Sequence, residues 1–184
     1  MKKHGPWTIK RTGRRYADPF MEFHVDEVVK PDGSEGEFAV ARMLPGVSTL
    51  ALDAEGFVYL GREFRYAIGR ESVETASGAV DEGEREEDAA RRELKEELGI
   101  EAEEFVDLGL VDAVTSQVYS PARIFLARRL RFAEAEQEGT EEIKPLRVKL
   151  AEAVSMVMRG DITHAVSCTL ILKANEYLRG EAHG

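Results

Sequence analysis

Three glutamates in one short segment have the spacing needed to bind a divalent metal ion. Glu96 and Glu97 follow Glu93 by three and four residues, so on a helix the three carboxylates gather on one face. Like charges at these offsets repel one another. A hard cation such as Mg²⁺, or Mn²⁺ in its place, binds carboxylate oxygens and relieves the repulsion. The spacing therefore indicates a metal site, and a solvated, salt-bridged helix face is the alternative.

The residues around these glutamates favour a helix between two turns. Gly78 and Gly83 bracket a short turn, and Asp88 places negative charge in the first helical turn. Leu94 belongs to an apolar stripe that is expected to face inward. Gly99 stands where a glycine commonly ends a helix. The segment is therefore expected to form a loop, a helix and a second loop.

Residues 78–100 resemble the Nudix box. The pattern of that family is Gly, five residues, Glu, seven residues, Arg-Glu, an aliphatic residue, any residue, Glu-Glu, any residue, Gly and an aliphatic residue. The nine specified positions are filled without a gap by Gly78, Glu84, Arg92, Glu93, Leu94, Glu96, Glu97, Gly99 and Ile100. With average residue usage, such a match is expected by chance at fewer than about one start position in 10⁹. The resemblance implies that Arg92 and Glu84 pair to fix the loop against the helix.

The resemblance also implies which residues of this segment hold the metal and act in catalysis. Glu93 and Glu97 correspond to direct metal ligands. Glu96 corresponds to a third ligand or to the residue that orients the water bound to the metal. The backbone carbonyl of Ser77 corresponds to the carbonyl ligand just before the box glycine, and a plain turn carbonyl is the alternative. Metal ligands are thus expected at Ser77, Glu93, Glu96 and Glu97, and catalytic residues at Glu96 and Glu97.

A looser similarity outside the box extends to ADP-ribose pyrophosphatases and related nucleoside-diphosphate-sugar hydrolases. Residues 60–66, LGREFRY, are similar to a strand end of that subgroup, and residues 74–78, ETASG, to its lead-in to the box. This implies that Arg65 contacts the diphosphate or the distal sugar, because a guanidinium engages phosphate oxygens in a fork. Glu74 is implied to bind sugar hydroxyls or a water at the metal. Trp7 offers a flat face for stacking on the base, and a core or dimer-interface aromatic is its alternative.

The general base is expected in an acidic loop beyond the box. Enzymes similar to ADP-ribose pyrophosphatase take a glutamate from such a loop, and residues 133–142 have this character here. Glu141 is the selected candidate because it lies two residues before Ile143, near where the next strand is expected to begin. The alternatives are Glu136, Glu138 and Glu142.

The implied activity is that of a metal-dependent pyrophosphohydrolase. It would cleave a nucleoside diphosphate sugar, such as ADP-ribose, to a nucleoside monophosphate and a sugar phosphate. Residues 115–121, TSQVYSP, have no proline at the offset where ADP-ribose pyrophosphatases usually carry a Ser-Pro-Gly turn, so the preferred sugar nucleotide stays open. Two rivals remain: a dinucleoside polyphosphate or nucleoside triphosphate hydrolase, and a catalytically silent nucleotide-sugar-binding protein.

Composition restricts the partners. The chain has 184 residues, is 43% hydrophobic and 33% charged, and carries a net charge of −10, which disfavours broad nucleic-acid binding. We expect no membrane span, because no apolar run approaches the required length, and a cytoplasmic location. Cys168 is the only cysteine, which excludes an intrachain disulfide. The partner is expected to be a small nucleotide, and the resemblance implies a homodimer.

The order of predicted elements indicates how the box is positioned. Alternating patterns and turn signals predict an antiparallel β-sheet over residues 1–44, which the resemblance assigns to dimerisation and contact with the base. Residues 45–184 are expected to form the catalytic domain, an α/β fold. Its predicted strands are residues 47–52, 57–60, 105–114, 123–132 and 146–150, and its predicted helices beyond the box are residues 151–158 and 163–178. The resemblance implies a Nudix-type α/β/α sandwich with a mixed β-sheet.

Overall fold

The computed structural model describes residues 1–137 and 142–182 of the chain, which divides into two compact units. The first unit consists of Met1–Leu44 and Asp112–Pro121, and the second of Pro45–Val111 and Ala122–Gly184. The first unit thus includes a later segment that the sequence-based division assigns to residues 45–184.

Twelve strands and three α-helices are present in the described ranges. The strands are β1 (Lys2–His4), β2 (Trp7–Ala17), β3 (Met21–Val29), β4 (Glu35–Met43), β5 (Gly46–Leu52), β6 (Phe57–Arg65), β7 (Arg70–Glu74), β8 (Ala76–Ala79), β9 (Ile100–Asp112), β10 (Val118–Tyr119), β11 (Pro121–Phe132) and β12 (Lys144–Lys149). The helices are α1 (Glu86–Leu98), α2 (Leu150–Met158) and α3 (Ala165–Glu181), with a short 3₁₀ turn at Tyr66–Ile68.

The first unit is a five-stranded sheet in the order β1-β2-β3-β4-β10. β1 to β4 pair antiparallel in succession, and β10 pairs parallel with β4. Successive side chains of a strand point to opposite faces, and on β3 the alternate residues His24, Asp26 and Val28 are buried. The predicted amino-terminal antiparallel sheet is confirmed.

The second unit is built on a mixed seven-stranded sheet. Its central order is β12-β6-β5-β11-β9, with β7 paired to β6 and β8 paired to β5. β11 runs parallel to β5, whereas β6 and β8 run antiparallel to it. Because β8 leads directly into the loop before α1, its pairing with β5 fixes where the box helix begins.

Helices cover both faces of this sheet. Leu50 and Ala51 are neighbours on β5 and point to opposite faces. Leu50 lies in a core cluster with residues of α2 and α3, including Leu170. Ala51 lies in a cluster with Leu94 of α1. The three layers form the predicted α/β/α sandwich.

The last two helices close the core. Ala153 of α2 and Leu170 and Ile171 of α3 are fully buried. Cys168 packs against the same cluster and donates a hydrogen bond to the carbonyl of Ile162 at 3.3 Å. Burial raises the pKa of its thiol.

None of the helices in the described part of the chain combines the length and the apolar character that a membrane span requires.

Candidate active site

Helix α1 carries the predicted metal-binding carboxylates and is anchored through its apolar side. Leu94 is fully buried and Leu98 is 9% exposed, and both pack with Ala76 of β8. The helix ends at Gly99, whose φ of 64° is one that glycine adopts readily. The N–H of Gly99 donates to the carbonyl of Lys95 at 2.9 Å. This packing fixes the position of the glutamates of α1 relative to β8.

Arg92 links the loop before α1 to the carboxylates on the helix. Its Nε and Nη2 donate to the two carboxylate oxygens of Glu84 at 3.1 and 3.0 Å, and Nη2 also donates to the carbonyl of Ala79 at 3.0 Å. Its Nη1 donates to Glu93 at 2.7 Å and to Glu96 at 3.1 Å. The hydrogen bond to Glu84 is the main cause that raises the pKa of Arg92, and it lowers the pKa of Glu84. The predicted pairing of Arg92 with Glu84 is present.

Strand β8 brings two backbone groups against the other carboxylates. A methyl group added to Gly78 would lie 2.0 Å from the carboxyl carbon of Glu93, so a side chain at position 78 would displace that carboxylate. The N–H of Ser77 donates to Oε2 of Glu97 at 3.2 Å. Glu97 is only 7% exposed, whereas the side chain of Glu96 is 33% exposed. Glu93 and Glu97 are therefore held against Ser77 and Gly78, and Glu96 lies on the more open side.

This donor set suits a hard divalent cation. Carboxylate and carbonyl oxygens are the ligands of Mg²⁺ and Mn²⁺. In the present side-chain positions Arg92 bridges Glu93 and Glu96, and residues 1–137 and 142–182 contain no group of three His, Cys, Asp or Glu side chains already arranged to hold a metal ion. Binding one ion by all three glutamates would therefore require their carboxylates to turn from these positions.

Arg65 and Glu74 form an ion pair in the same unit. Nε and Nη2 of Arg65 donate to the two carboxylate oxygens of Glu74 at 3.3 and 2.9 Å. Nη1 of Arg65 lies 2.8 Å from Oε2 of Glu63. Burial acts to raise the pKa of Glu74, but the hydrogen bond from Arg65 and the nearby His164 outweigh it, so the pKa is lowered. Arg65 is thus already engaged by two carboxylates.

His164 adds a group that the sequence did not reveal. It precedes α3, and its Nδ1 lies 3.4 Å from Oε2 of Glu74 and 2.8 Å from Oγ of Ser167. Burial lowers the pKa of His164, although the charge of Glu74 acts in the opposite direction. No local motif marks this histidine, because its partner Glu74 is distant in the chain.

Comparison with known proteins identifies the family. The family model for the NUDIX domain matches residues 42–164, more than half of the chain. The chain belongs to the Nudix family.

Relatives of this Nudix protein include two named ADP-ribose pyrophosphatase. The one from Bacillus subtilis (strain 168) is 25% identical over 170 residues, covering 90% of this chain and 92% of the relative. The one from Mycobacterium tuberculosis is 28% identical over 160 residues, covering 85% and 77%. The ADP compounds hydrolase NudE of Escherichia coli (strain K12) is 30% identical over 118 residues, covering 63% of each chain.

A solved structure confirms the fold. A crystal structure of an ADP compounds hydrolase superposes with a TM-score of 0.83 at 22% sequence identity and covers 98% of each chain. Together with the family assignment, these relatives show that the chain is a Nudix hydrolase.

The two other residues predicted for the site are Trp7 and Glu141. Trp7 belongs to the first unit, where its ring packs edge-on against Phe38 with centroids 5.4 Å apart, beside a cavity of about 370 Å³. Glu141 lies outside the described residues.

Gln137 is a residue that the sequence did not single out. Its side-chain amide donates to the carbonyl of Glu97, near the end of α1, at 3.1 Å and to the carbonyl of Ile143, just before β12, at 2.9 Å. Gln137 thus links the end of α1 to the start of β12.

Proposed function

We propose that this Nudix hydrolase cleaves the diphosphate of a nucleoside diphosphate sugar, such as ADP-ribose, to a nucleoside monophosphate and a sugar phosphate. Nudix hydrolases generally depend on a divalent metal, and we propose Mg²⁺ for this one, with Mn²⁺ as a substitute. The two relatives named ADP-ribose pyrophosphatase, which align over most of this chain, support the substrate class.

One observation carries the proposal: Glu93 and Glu97 are both held against the β8 backbone at Ser77 and Gly78. Two largely buried carboxylates beside a strand backbone form a rigid, oxygen-rich site. Arg92 fixes the position of Glu93 from the other side. An exposed salt-bridged helix face would not bury these two carboxylates or place glycine beneath one of them.

The chain's residues can be given roles in this hydrolysis. Water attacks one phosphorus, the bridging oxygen leaves with the other phosphate, and one proton of the water is released. A bound divalent ion supplies positive charge to the phosphate oxygens. We assign Glu93, Glu97 and the carbonyl of Ser77 to holding that ion. Glu96, the most exposed of the three glutamates, is assigned as a further metal ligand or as the residue that orients the attacking water. Glu141 is proposed as the general base that accepts a proton from this water.

Hydrolysis of a substrate panel tests the proposal. Nucleotide sugars and dinucleoside polyphosphates are incubated with Mg²⁺, and phosphate is measured after coupled phosphatase treatment. Nucleoside triphosphates, which a phosphatase would itself attack, are followed by the release of pyrophosphate. We expect nucleotide sugars to be the best substrates and Glu97→Gln to lose at least about 100-fold in kcat. Equal activity of parent and variant on the best substrate would contradict the assigned mechanism. A preference for dinucleoside polyphosphates or nucleoside triphosphates would support the alternative hydrolase activities. Binding of a nucleotide sugar without turnover would support a catalytically silent nucleotide-sugar-binding protein.

We also propose that Trp7 contributes to recognition of the base. Its ring is half-buried beside the cavity of the first unit, and Phe38 supports it edge-on. An aromatic ring fixed in this way offers a face on which a planar base can stack. Trp7→Ala is expected to raise KM more than it lowers kcat.

A homodimer that uses the sheet of the first unit is a further part of the proposal. Tyr16, Phe20 and Met43 of this unit are 53%, 67% and 44% exposed, and exposed apolar side chains of this size favour association. Light scattering coupled to size exclusion tests this, and a monomer at micromolar concentration would contradict it. The cytoplasmic location stays a prediction.

A further inference from the structure

A series of buried hydroxyl groups connects β8 with the start of α3. Ser77 Oγ lies 2.7 Å from Ser48 Oγ, which lies 2.6 Å from Thr75 Oγ1. Thr75 Oγ1 lies 3.0 Å from Ser167 Oγ, which is 2.8 Å from Nδ1 of His164. Ser48 and Ser167 are fully buried, and Thr75 is 2% exposed. These three hydroxyls are shielded from bulk solvent and satisfy one another.

The direction of every hydrogen bond in this series follows from one end, because each hydroxyl has a single hydrogen. Ser77 Oγ donates to the carbonyl oxygen of Thr75 at 2.7 Å, and a carbonyl can only accept. The hydrogen between Ser48 and Ser77 therefore comes from Ser48. The hydrogen between Thr75 and Ser48 then comes from Thr75, and the next one from Ser167. Ser167 has no hydrogen left for His164, so Nδ1 of His164 is the donor.

The other contact of Ser167 agrees with this assignment. The backbone N–H of Thr75 donates to Ser167 Oγ at 3.0 Å. Ser167 thus accepts from Thr75 and from His164 and donates once, which uses its full hydrogen-bonding capacity. If the series ran in the opposite direction, with Ser167 donating to His164, Ser48 would donate to Thr75. The hydroxyl oxygens of Ser48 and Ser77 would then face each other with no hydrogen between them.

A neutral imidazole that is protonated at Nδ1 has an unprotonated Nε2, which is a hydrogen-bond acceptor. Because burial lowers the pKa of His164, the ring is neutral at neutral pH. Its side chain is 33% exposed, and within the described ranges no group hydrogen-bonds to Nε2. His164 therefore has one acceptor available to a ligand.

The neighbours of His164 also accept hydrogen bonds. The guanidinium of Arg65 is shared between Glu74 and Glu63, so these three groups carry a net charge of −1, from one positive and two negative charges. Such a cluster repels a phosphate and attracts hydroxyl donors. It lies near the box helix, since Glu74 is three residues before Ser77, whose N–H donates to Oε2 of Glu97 at 3.2 Å.

We propose that Nε2 of His164, beside the carboxylate of Glu74, accepts a hydrogen bond from a hydroxyl of the sugar on the diphosphate. His164 is then a specificity-determining residue that distinguishes a polyol from a phosphate or an alkyl group at this end of the substrate. This inference rests on the proposed function and assigns the sugar end to the cluster of Arg65, Glu74 and His164.

The tautomer is tested without any substrate. We expect ¹⁵N chemical shifts of the histidine rings at about pH 7.5 to show His164 as the neutral, Nδ1-protonated form. The chain has four histidines, and the signal of His164 is identified by its loss in His164→Asn. A neutral ring protonated at Nε2 would overturn the inference whatever reaction the protein catalyses.

Two variants test the role in specificity. In His164→Asn the amide nitrogen takes the place of Nδ1 and keeps the bond to Ser167, but Nε2 is lost. In His164→Gln the amide reaches the place of Nε2, but the bond to Ser167 is lost. The measured quantity is the ratio of kcat/KM for ADP-ribose to that for an alkyl ester of ADP, which has no sugar hydroxyls at this end. We expect Asn to lower this ratio about 5-fold and Gln to keep it within about 2-fold of the parent.

An unchanged ratio in His164→Asn would overturn the inference while leaving the proposed function intact. If the parent hydrolyses neither compound, the proposed function has failed. Calorimetric binding of ribose 5-phosphate, the expected product, to the parent and His164→Asn then decides the inference by itself. Binding weakened about 5-fold in the variant supports it, and equal or absent binding overturns it.

Discussion

The carboxylate of Glu93 occupies the space above the α-carbon of Gly78, where a side chain would otherwise be. A methyl group added at Gly78 would lie 2.0 Å from both the carboxyl carbon and Oε1 of Glu93. The glycine that opens the box thus provides the room in which Glu93 is held.

Gly78→Ala is therefore expected to displace Glu93 and to lower kcat/KM about 10- to 100-fold, because shifting a ligand by a fraction of an ångström disturbs the site. Steady-state kinetics with ADP-ribose and Mg²⁺ measure the effect. Gly180→Ala is the matched control: the added methyl meets nothing within 4 Å, and in the last turn of helix α3 it stabilises the protein by at most about 1 kcal/mol. An active Gly78→Ala enzyme would show that Glu93 is not needed in this position.

Arg92→Lys tests whether the guanidinium positions the carboxylates. A lysine ammonium cannot reproduce the paired bonds to Glu84 together with those to Glu93 and Glu96. We expect kcat to fall about 10- to 100-fold with little change in secondary structure. Arg91→Lys is the control on the same helix, since Arg91 pairs with Glu87 instead. If both variants lose the same activity, the loss reflects the helix and not the site.

Divalent metal is expected to stabilise the folded protein. An ion that binds only the folded chain raises the unfolding temperature in proportion to the logarithm of its concentration. Differential scanning calorimetry of the chelator-treated protein with increasing Mg²⁺ measures this, and Glu97→Gln is expected to reduce the shift. Glu101→Gln, which removes an exposed carboxylate paired with Lys95, serves as the control. Identical shifts in all three proteins would place the ion elsewhere.

Stability is expected to depend on the charge of His164. Burial lowers the pKa of His164 below its ordinary value of 6.5, so the unfolded chain binds this proton more tightly than the folded chain. The stability that the neutral ring contributes is therefore fully present above pH 6.5 and is lost as the pH falls from 6.5 through the lower pKa of the folded state. The attraction of Glu74 limits the loss.

Urea unfolding at about pH 7.5 and pH 5.5 measures this contribution. We expect the parent to lose more stability between these two pH values than His164→Asn, which cannot titrate at this position. The opposite order would mean that the folded state favours the charged ring.

Local patterns were sufficient to predict much of this fold. The spacing of Leu94 and Gly99 predicted the inner face and the end of α1, and alternation predicted most strands of both sheets. β7 was missed because its sequence, RESVE, has little apolar alternation and its position depends on pairing with β6. β9 begins at Ile100, earlier than predicted, because the chain enters the sheet directly after Gly99.

The site was predictable only where its residues lie close in sequence. Glu93, Glu96 and Glu97 share one helix, so their spacing is visible in the chain. The contact of His164 with Glu74 and the links among Ser48, Thr75 and Ser167 depend on tertiary packing, which gives no periodic signal.

The buried hydroxyls have a further consequence for how the sequence can change. Ser48, Thr75 and Ser167 come from three separate segments, yet the orientation of each hydroxyl sets that of the next. Replacing one of these residues by alanine would allow the hydroxyl of its neighbour to reverse its hydrogen bond. A second replacement would then lower the stability of the protein less than the same replacement made alone. Substitutions at these three positions are thus expected to be epistatic, so that tolerance at one depends on which residue occupies the others.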